Sequence, residues 1–310
     1  MVSMSAKCYL PAIVVFHYKT GRPVDWAVQF EHVNPLVVEI GSGNGDFLVK
    51  TAQEHPQKNF IAIEREHKRI AIALRKLRQA GVCNVRLLRE EAAMALERLF
   101  LPSTINEFYS LFPCPWPKKK HIKHRLFSKD FFMLVNSRLI EGGRLKIVTD
   151  YEHYVVWLGE QVKDTGFRLE QKKILPTYDT KYERKWTAAG QKEFFELIFH
   201  KEKHITVPLK KDVPVITFEL AEFNPLFFRM QEEHGRVRVV FKKFLWEAQA
   251  QKGLIQTIVA EENLTQHFWM SITKSGEKWK IAPVQDKKVI PTPGLNRALE
   301  LIYEAARKKE

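Results

Sequence analysis

Between Pro35 and about Gly166, short runs rich in β-branched and aromatic residues alternate with segments of helical periodicity. The predicted strands of this region are residues 36–40, 60–64, 85–88, 107–112 and 144–149. Alternation of strand and helix is typical of a parallel sheet with right-handed crossovers. A further run of large apolar residues at 193–203 predicts a last strand. The sequence therefore predicts a large α/β domain with a mostly parallel sheet.

The pattern changes near Ile205. Strands are predicted at residues 213–220, 236–245, 254–260, 268–272 and 278–281, with a turn around Gly276 and a helix at 295–307. We therefore expect two domains, residues 1–204 and residues 205–310. The second is a smaller α+β domain with largely antiparallel strands, and its sequence does not indicate its role.

Basic residues are in excess along the chain. There are 50 Lys and Arg against 36 Asp and Glu in 310 residues, a formal net charge of +14. This balance favours a polyanionic partner, nucleic acid before an anionic membrane surface. No apolar run approaches the roughly 18 residues that span a bilayer, and the three cysteines lack metal-type spacing. We expect a cytoplasmic protein without membrane or metal, as a monomer or weak homodimer.

A glycine-rich turn follows the first predicted strand, in the sequence VVEIGSGNGD at residues 37–46. Glycines let the backbone turn sharply and let a ligand approach closely, because no Cβ intervenes. The dinucleotide pattern G-x-G-x-x-G, counted from Gly41 and Gly43, requires a third glycine where this chain has Asp46. A nicotinamide-dependent oxidoreductase is therefore the weaker alternative.

Acidic residues in and after successive strands favour S-adenosyl-L-methionine instead. Glu39, inside the strand, can meet the cationic methionine end of that cofactor electrostatically. Glu64 ends the next strand and can accept both ribose hydroxyls. Glu91 follows the third strand and can receive the adenine amino group, although Glu90 beside it leaves the choice open. The alternative role of Glu64 or Glu91 is that of an acid at a helix N-terminus.

A proline-rich loop, FPCPWP at residues 112–117, leads into a cationic patch. Three prolines fix φ and withhold backbone donors, so neither helix nor central strand can pass through the loop. Six Lys or Arg and no acidic residue lie between positions 118 and 129. That composition is expected where a polyanionic backbone is bound. We expect Trp116 to support the loop rather than to stack on a substrate.

Together these features resemble the bacterial tRNA (guanine-N7)-methyltransferase family, in its longer form with a C-terminal extension. The resemblance covers about residues 35–200. It rests on Glu39 with the glycine turn, Glu64, the proline loop, Thr149-Asp150 and Thr180-Lys181-Tyr182-Glu183. It implies a Rossmann-like class I S-adenosylmethionine-dependent methyltransferase fold with a mostly parallel seven-stranded sheet. It also implies methyl transfer from S-adenosyl-L-methionine to guanine N7 in tRNA, at position 46 of the variable loop.

The resemblance also implies site residues. Cofactor contacts are expected from Glu39, Gly41, Gly43, Glu64, Glu91 and Cys114. Substrate contacts are expected from Lys118, Asp150, Thr180, Lys181, Tyr182 and Glu183. RNA contacts are expected from Lys119, Lys120, His121, Lys123, His124 and Arg125. The alternative role of Asp150 is to cap the helix that follows it.

The chain departs from the family at Cys114, where the family has an active-site Asp. Guanine N7 carries a lone pair and no proton, so methyl transfer can proceed largely by proximity and orientation. A thiol replaces the Asp only in part, because it is a weak donor and a weak acceptor. We therefore expect an active enzyme, and the alternative is a tRNA-binding relative with weakened catalysis. Covalent catalysis by Cys114 is not expected, since N7 needs no activation by addition.

Overall fold

A computed structural model describes residues 13–284 and 288–307 of the chain. The chain divides into two compact units, one ending at residue 210 and the other beginning at residue 211. Within the described ranges, every helix is too short or too polar to cross a membrane. The same ranges contain no group of three or more His, Cys, Asp or Glu side chains arranged to hold a metal ion.

Eight strands of the first unit form one sheet. They are β1 (Val14–Val15), β2 (Leu36–Ile40), β3 (Asn59–Ile63), β4 (Val85–Leu88), β5 (Ile105–Leu111), β6 (Leu139–Thr149), β7 (Phe167–Ile174) and β8 (Phe194–Lys201). Their order is β1-β4-β3-β2-β5-β6-β8-β7. β8 runs antiparallel to both neighbours, and the other pairs are parallel. The Rossmann-like methyltransferase fold expected from the sequence is confirmed, and β1 adds a two-residue edge strand to the seven expected.

Helices connect these strands. They are α1 (His17–Thr20), α2 (Trp26–Phe30), α3 (Asp46–Glu54), α4 (His67–Gln79), α5 (Ala92–Arg98), α6 (Lys129–Arg138), α7 (Glu152–Gln161) and α8 (Lys181–Ala188). Strand β2 is buried on both faces, because Val38 and Ile40 enter one apolar core and Val37 enters another. The carboxyl ends of β2 to β6 lie at one edge of the sheet, which is where open α/β sheets bind ligands.

Residues just after the expected domain boundary are attached to the first unit. The N–H of Ile205 donates to Oδ1 of Asn136 at 2.8 Å. Nη1 of Arg138 donates to the carbonyl oxygen of Val207 at 3.0 Å. These bonds account for a first unit that extends past residue 204 to residue 210.

The second unit is a six-stranded antiparallel sheet with one long helix. Its strands are β9 (Phe218–Leu220), β10 (Glu233–His234), β11 (Val237–Glu247), β12 (Lys252–Glu261), β13 (Leu264–Ser275) and β14 (Lys278–Pro283), in the order β10-β11-β12-β13-β14-β9. Helix α9 (Pro293–Ala306) begins after Thr292, whose hydroxyl accepts from the N–H of Leu295. The α+β character is confirmed, although the strand expected at 213–220 is limited to β9.

Candidate active site

The glycine turn after β2 contains three residues in the left-handed region. Gly41, Gly43 and Gly45 have φ values of 77°, 53° and 75°, which favour glycine. A Cβ on Gly45 would lie 2.9 Å from the Cβ of Ala73, so α3 and α4 pack closely because this position lacks a side chain. The N–H of Gly43 donates to Oε2 of Glu64 at 3.0 Å. The turn is therefore connected to the residue at the end of β3.

Glu39 is a buried acid beside this turn, with 4% of its surface exposed. Burial, followed by the charges of Asp46 and Glu64, raises the pKa of Glu39 to about 8. Its Oε2 atom has no hydrogen-bond partner within the described part of the chain. A buried carboxyl without a partner is costly. Glu39 is therefore suited to meet a cationic ligand group.

A cavity of about 530 Å³ opens at the carboxyl edge of the parallel strands. A smaller pocket shares Gly41, Gly43 and Tyr182 with the cavity. The sequence-predicted residues that line the cavity are Gly41, Gly43, Glu64, Glu91, Cys114, His124, Asp150 and Tyr182. Those that line the smaller pocket include Glu39, Thr180 and Lys181. The structure thus brings most of the expected cofactor and substrate residues together.

The two candidate adenine-binding acids have different partners. Oε1 of Glu90 lies 3.0 Å from Nε2 of His17, which is buried. Oε1 of Glu91 lies 3.3 Å from Nη1 of Arg65, and both of these side chains are exposed. Glu91 precedes α5 and makes no side-chain capping hydrogen bond. The arrangement favours Glu91 as the acid that a ligand can reach.

The proline loop contains two strained residues, each followed by proline. Phe112 and Trp116 have φ values of 55° and 43°, a conformation that costs about 1–3 kcal/mol and persists only where the surroundings impose it. The N–H of Phe112 donates to the carbonyl oxygen of Val148 at 2.8 Å. Nε of Arg125 donates to the carbonyl oxygen of Pro115 at 2.7 Å. These bonds hold the loop so that the exposed thiol of its central cysteine lines the cavity.

Arg125 stabilises the proline loop through its hydrogen bond to Pro115. The side chain is 8% exposed, and its guanidinium carbon lies 5.3 Å and 4.9 Å from the ring centroids of Tyr154 and Trp157. Arg125 was expected on the RNA; in the structure it is buried, and its Nε and Nη2 atoms donate to the carbonyl oxygens of Pro115 and Trp116.

Lys119, Lys120 and Lys123 lie in a 3₁₀ helix, Lys119–His124, and Lys118 directly precedes it. Lys118, Lys119, Lys120 and Lys123 are exposed and do not line the cavity. The imidazoles of His121 and His124 lie 5.6 Å and 5.3 Å from the Trp116 ring centroid. This packing agrees with a supporting role for Trp116.

Asp150 follows β6 and is half-buried at the cavity. Burial raises the pKa of its carboxyl, although a backbone hydrogen bond and the charge of Lys185 act against that rise. Helix α7 has Tyr151, not Asp150, at its N-cap. The helix-capping alternative for Asp150 is therefore not observed.

Thr180 and Glu183 organise the start of α8. The hydroxyl of Thr180 accepts from the N–H of Glu183 at 3.1 Å. Glu183 is 2% exposed and accepts from the N–H groups of Thr177, at 2.8 Å, and of Asp179. The structure therefore directs the Glu183 carboxylate to the backbone before α8 and does not bring it to the cavity.

Arg69 and Trp186 are among the cavity residues that the sequence did not single out as site residues. Arg69 of α4 donates from Nη1 to Oδ1 of Asn44 in the glycine turn at 2.9 Å. Trp186 of α8 follows Tyr182 by one helical turn, and both line the cavity. The spacing of Tyr182 and Trp186 was the available signal, because residues four apart share a helix face.

The residues around the cavity fit S-adenosyl-L-methionine. Glu39 provides a buried carboxyl whose Oε2 has no hydrogen-bond partner among the described residues, which suits a cationic end of the cofactor. Glu64 provides acceptors for a ribose, and the glycine turn permits close approach of a ligand to the backbone.

Comparisons with known proteins agree with this fit. A family model described as "Putative methyltransferase" matches residues 33–196. The tRNA (guanine-N(7)-)-methyltransferase of Chlorobium phaeobacteroides is 38% identical over 205 residues, 66% of this chain and 98% of its own. That of Thermotoga maritima is 30% identical over 295 residues, 91% and 92% of the two chains. That of Thermus thermophilus is 33% identical over 254 residues, 79% and 80%. The chain belongs to the tRNA (guanine-N(7)-)-methyltransferase family.

Proposed function

We propose that this chain transfers a methyl group from S-adenosyl-L-methionine to N7 of a guanine in tRNA, at position 46 of the variable loop. The observation that carries the proposal is that the glycine turn, Glu64, Cys114 and Asp150 meet at one cavity. Relatives named for this activity match the chain over most of their length. The proposed enzyme acts in the cytoplasm, as a monomer or weak homodimer.

The cofactor side of the cavity holds the methyl donor. S-adenosyl-L-methionine supplies, when bound, a methyl group on a sulfonium sulfur. Glu39 meets its cationic methionine end, Glu64 accepts from the ribose hydroxyls, and Glu91 accepts from the adenine amino group. Gly41 and Gly43 let the ligand approach the backbone, because neither position has a Cβ.

The substrate side orients the guanine. N7 has an in-plane lone pair and no proton to lose, so the residues must align the base and need not supply a general base. Asp150 accepts from the Watson-Crick edge of guanine, and Tyr182 provides a stacking ring for a base taken out of the RNA. Thr180 and Lys181 line the smaller pocket with Tyr182, and the thiol of Cys114 offers a weak donor and acceptor.

The tRNA backbone binds to the exposed lysines beside the proline loop. No Asp or Glu occurs in the sequence from position 118 to position 129, the segment that contains Lys118, Lys119, Lys120 and Lys123. Neutralising phosphates with such side chains releases counterions and makes binding sensitive to salt.

A tRNA-binding relative without catalysis is not favoured. Such a protein has no need of a buried acid beside a glycine turn, and this chain retains Glu39 there at the cost of burying its carboxyl. The curated relatives are also named as methyltransferases.

The test is incubation with unmodified tRNA and methyl-labelled S-adenosyl-L-methionine, followed by nucleoside analysis. We expect N7-methylguanosine, and substitution of G46 in the tRNA should abolish it. Absence of N7-methylguanosine at high enzyme concentration would refute the function, whereas product from the G46 variant would refute only the position.

A further inference from the structure

Trp186 is placed to contact whatever base enters the cavity. It lies one helical turn after Tyr182 on α8, and both rings line the cavity with Asp150 and Cys114. Trp186 is half-buried and packs against an apolar cluster that includes Phe47, Phe112, Tyr178 and Phe194. One part of the indole therefore packs on this cluster, and another part lines the cavity.

A cation already lies over this indole. Nζ of Lys185 is 4.5 Å from the ring centroid of Trp186, within the range of a cation–π contact. The charge of Lys185 also acts on the carboxyl of Asp150, which lines the cavity. The indole of Trp186 is thus able to make a cation–π contact.

Methylation of N7 creates a positive charge on the base. The N7 lone pair forms the new N–CH₃ bond while the S–CH₃ bond of S-adenosyl-L-methionine breaks, and that bonding pair remains on sulfur. The positive charge therefore passes from the sulfonium to the guanine ring system. Groups placed to stabilise charge that develops in the transition state accelerate a reaction most. Besides the carboxyl of Asp150, the ring face of Trp186 at the cavity is a group that can stabilise this charge.

We propose, on the basis of the proposed function, that Trp186 contacts the target guanine and stabilises its developing positive charge by a cation–π interaction. Tyr182 and Trp186 together form an aromatic wall, and Asp150 receives the polar edge of the base. Helix α8, which carries both rings, is anchored at its start by the cap of Thr180 and by the buried carboxylate of Glu183.

The first test is progressive fluorination of the indole at position 186, introduced site-specifically. Fluorine withdraws electron density from the ring face and changes ring size little. We expect the single-turnover methylation rate to fall stepwise, by about three- to thirty-fold over the series, which corresponds to the usual strength of a cation–π contact. The matched control is the same series at Trp26, a buried indole stacked on Phe100 with centroids 5.0 Å apart, where the rate should not change.

The second test measures binding without the cofactor. The chain with natural tryptophan should prefer tRNA that carries N7-methylguanine over unmodified tRNA, and Trp186→Leu should lose that preference while Trp186→Phe retains part of it. A flat rate series at position 186, an equal decline in the Trp26 series, or an unchanged product preference in Trp186→Leu would each overturn the inference. If the unaltered chain forms no N7-methylguanosine, the proposed function itself is refuted, and this result is distinct from the three outcomes above.

Discussion

Nη2 of Arg184 lies 3.2 Å from Oδ2 of Asp46, so an ion pair joins the helix after the glycine turn to the helix that carries Tyr182 and Trp186. Nη1 of Arg184 also donates to Oδ1 of Asp179 at 2.9 Å. The cofactor side and the substrate side of the cavity are thus connected by one guanidinium.

Replacing Arg184 should affect the KM for tRNA more than it affects the stability of the fold. We expect Arg184→Met to raise the KM for tRNA about three- to tenfold and to lower the free energy of unfolding by less than about 1 kcal/mol, since the arginine is half exposed. Steady-state kinetics and thermal unfolding measure the two effects. The control is Arg168→Met, which removes an exposed ion pair with Glu202; an equal KM change there would refute a positioning role for Arg184.

Cofactor affinity should rise with pH because of Glu39. The pKa of this buried carboxyl is about 8, so near neutral pH it is mostly protonated, whereas a cationic ligand favours its ionised form. Between pH 6 and pH 8 the affinity for S-adenosyl-L-methionine should increase by at most about tenfold per pH unit. Calorimetry at pH 7 in buffers of different ionisation enthalpy should detect proton release on binding. Glu39→Gln should bind more weakly with a flat profile, and a flat profile in the unaltered chain would contradict the argument.

Glu107 should stabilise the fold above mildly acidic pH. Burial alone would raise its pKa, but hydrogen bonds from Lys58 at 2.7 Å and Arg144 at 2.8 Å lower the pKa to about 2. Because the pKa of Glu107 in the folded protein lies below its ordinary value of 4.5, this stabilisation is complete above pH 4.5 and is lost as the pH falls towards 2. Glu107→Gln should therefore cost on the order of 1–3 kcal/mol at pH 7 and progressively less towards pH 2, as measured by denaturant unfolding.

Arg125 and Lys123 should behave differently although both belong to the cationic run. Arg125→Met removes the donor to Pro115 and should lower both the unfolding free energy, by about 1–3 kcal/mol, and the methylation rate. Lys123→Met should leave stability unchanged, weaken tRNA binding, and reduce the salt dependence of binding by about one phosphate contact. Thermal unfolding and tRNA titrations at several salt concentrations compare the two variants. If Arg125→Met lost tRNA affinity and kept its stability, Arg125 would have to be assigned to the RNA-binding surface.

Cys114→Asp should accelerate methylation. A carboxylate in this position would accept hydrogen bonds from guanine and face the positive charge that forms on it, an effect worth about tenfold in rate for each 1.4 kcal/mol. Single-turnover rates of Cys114→Asp and of Cys114→Ser, which is uncharged and close in size to the native cysteine, make the comparison. A Cys114→Asp rate no higher than that of Cys114→Ser would indicate that the native site does not depend on a charge at this position.

Local sequence patterns were sufficient to predict the architecture of the first unit and the residues of the glycine turn. Both depend on local information, because strand and helix periodicity is carried by neighbouring residues and left-handed backbone at Gly41, Gly43 and Gly45 requires glycine at those positions. Glu39 was identifiable as well, since an acid inside an otherwise apolar strand must have a partner or a function.

The tertiary structure was needed to separate neighbouring side chains by their burial and by their partners. Lys123 and Arg125 are close in a single basic run, yet one is exposed and the other is held by Pro115. Glu183 is bound to the backbone before α8, while Trp186 lines the cavity. Composition cannot separate these cases, because the burial and the hydrogen-bond partners of a long side chain depend on segments that are distant in sequence and meet only when the sheet has formed.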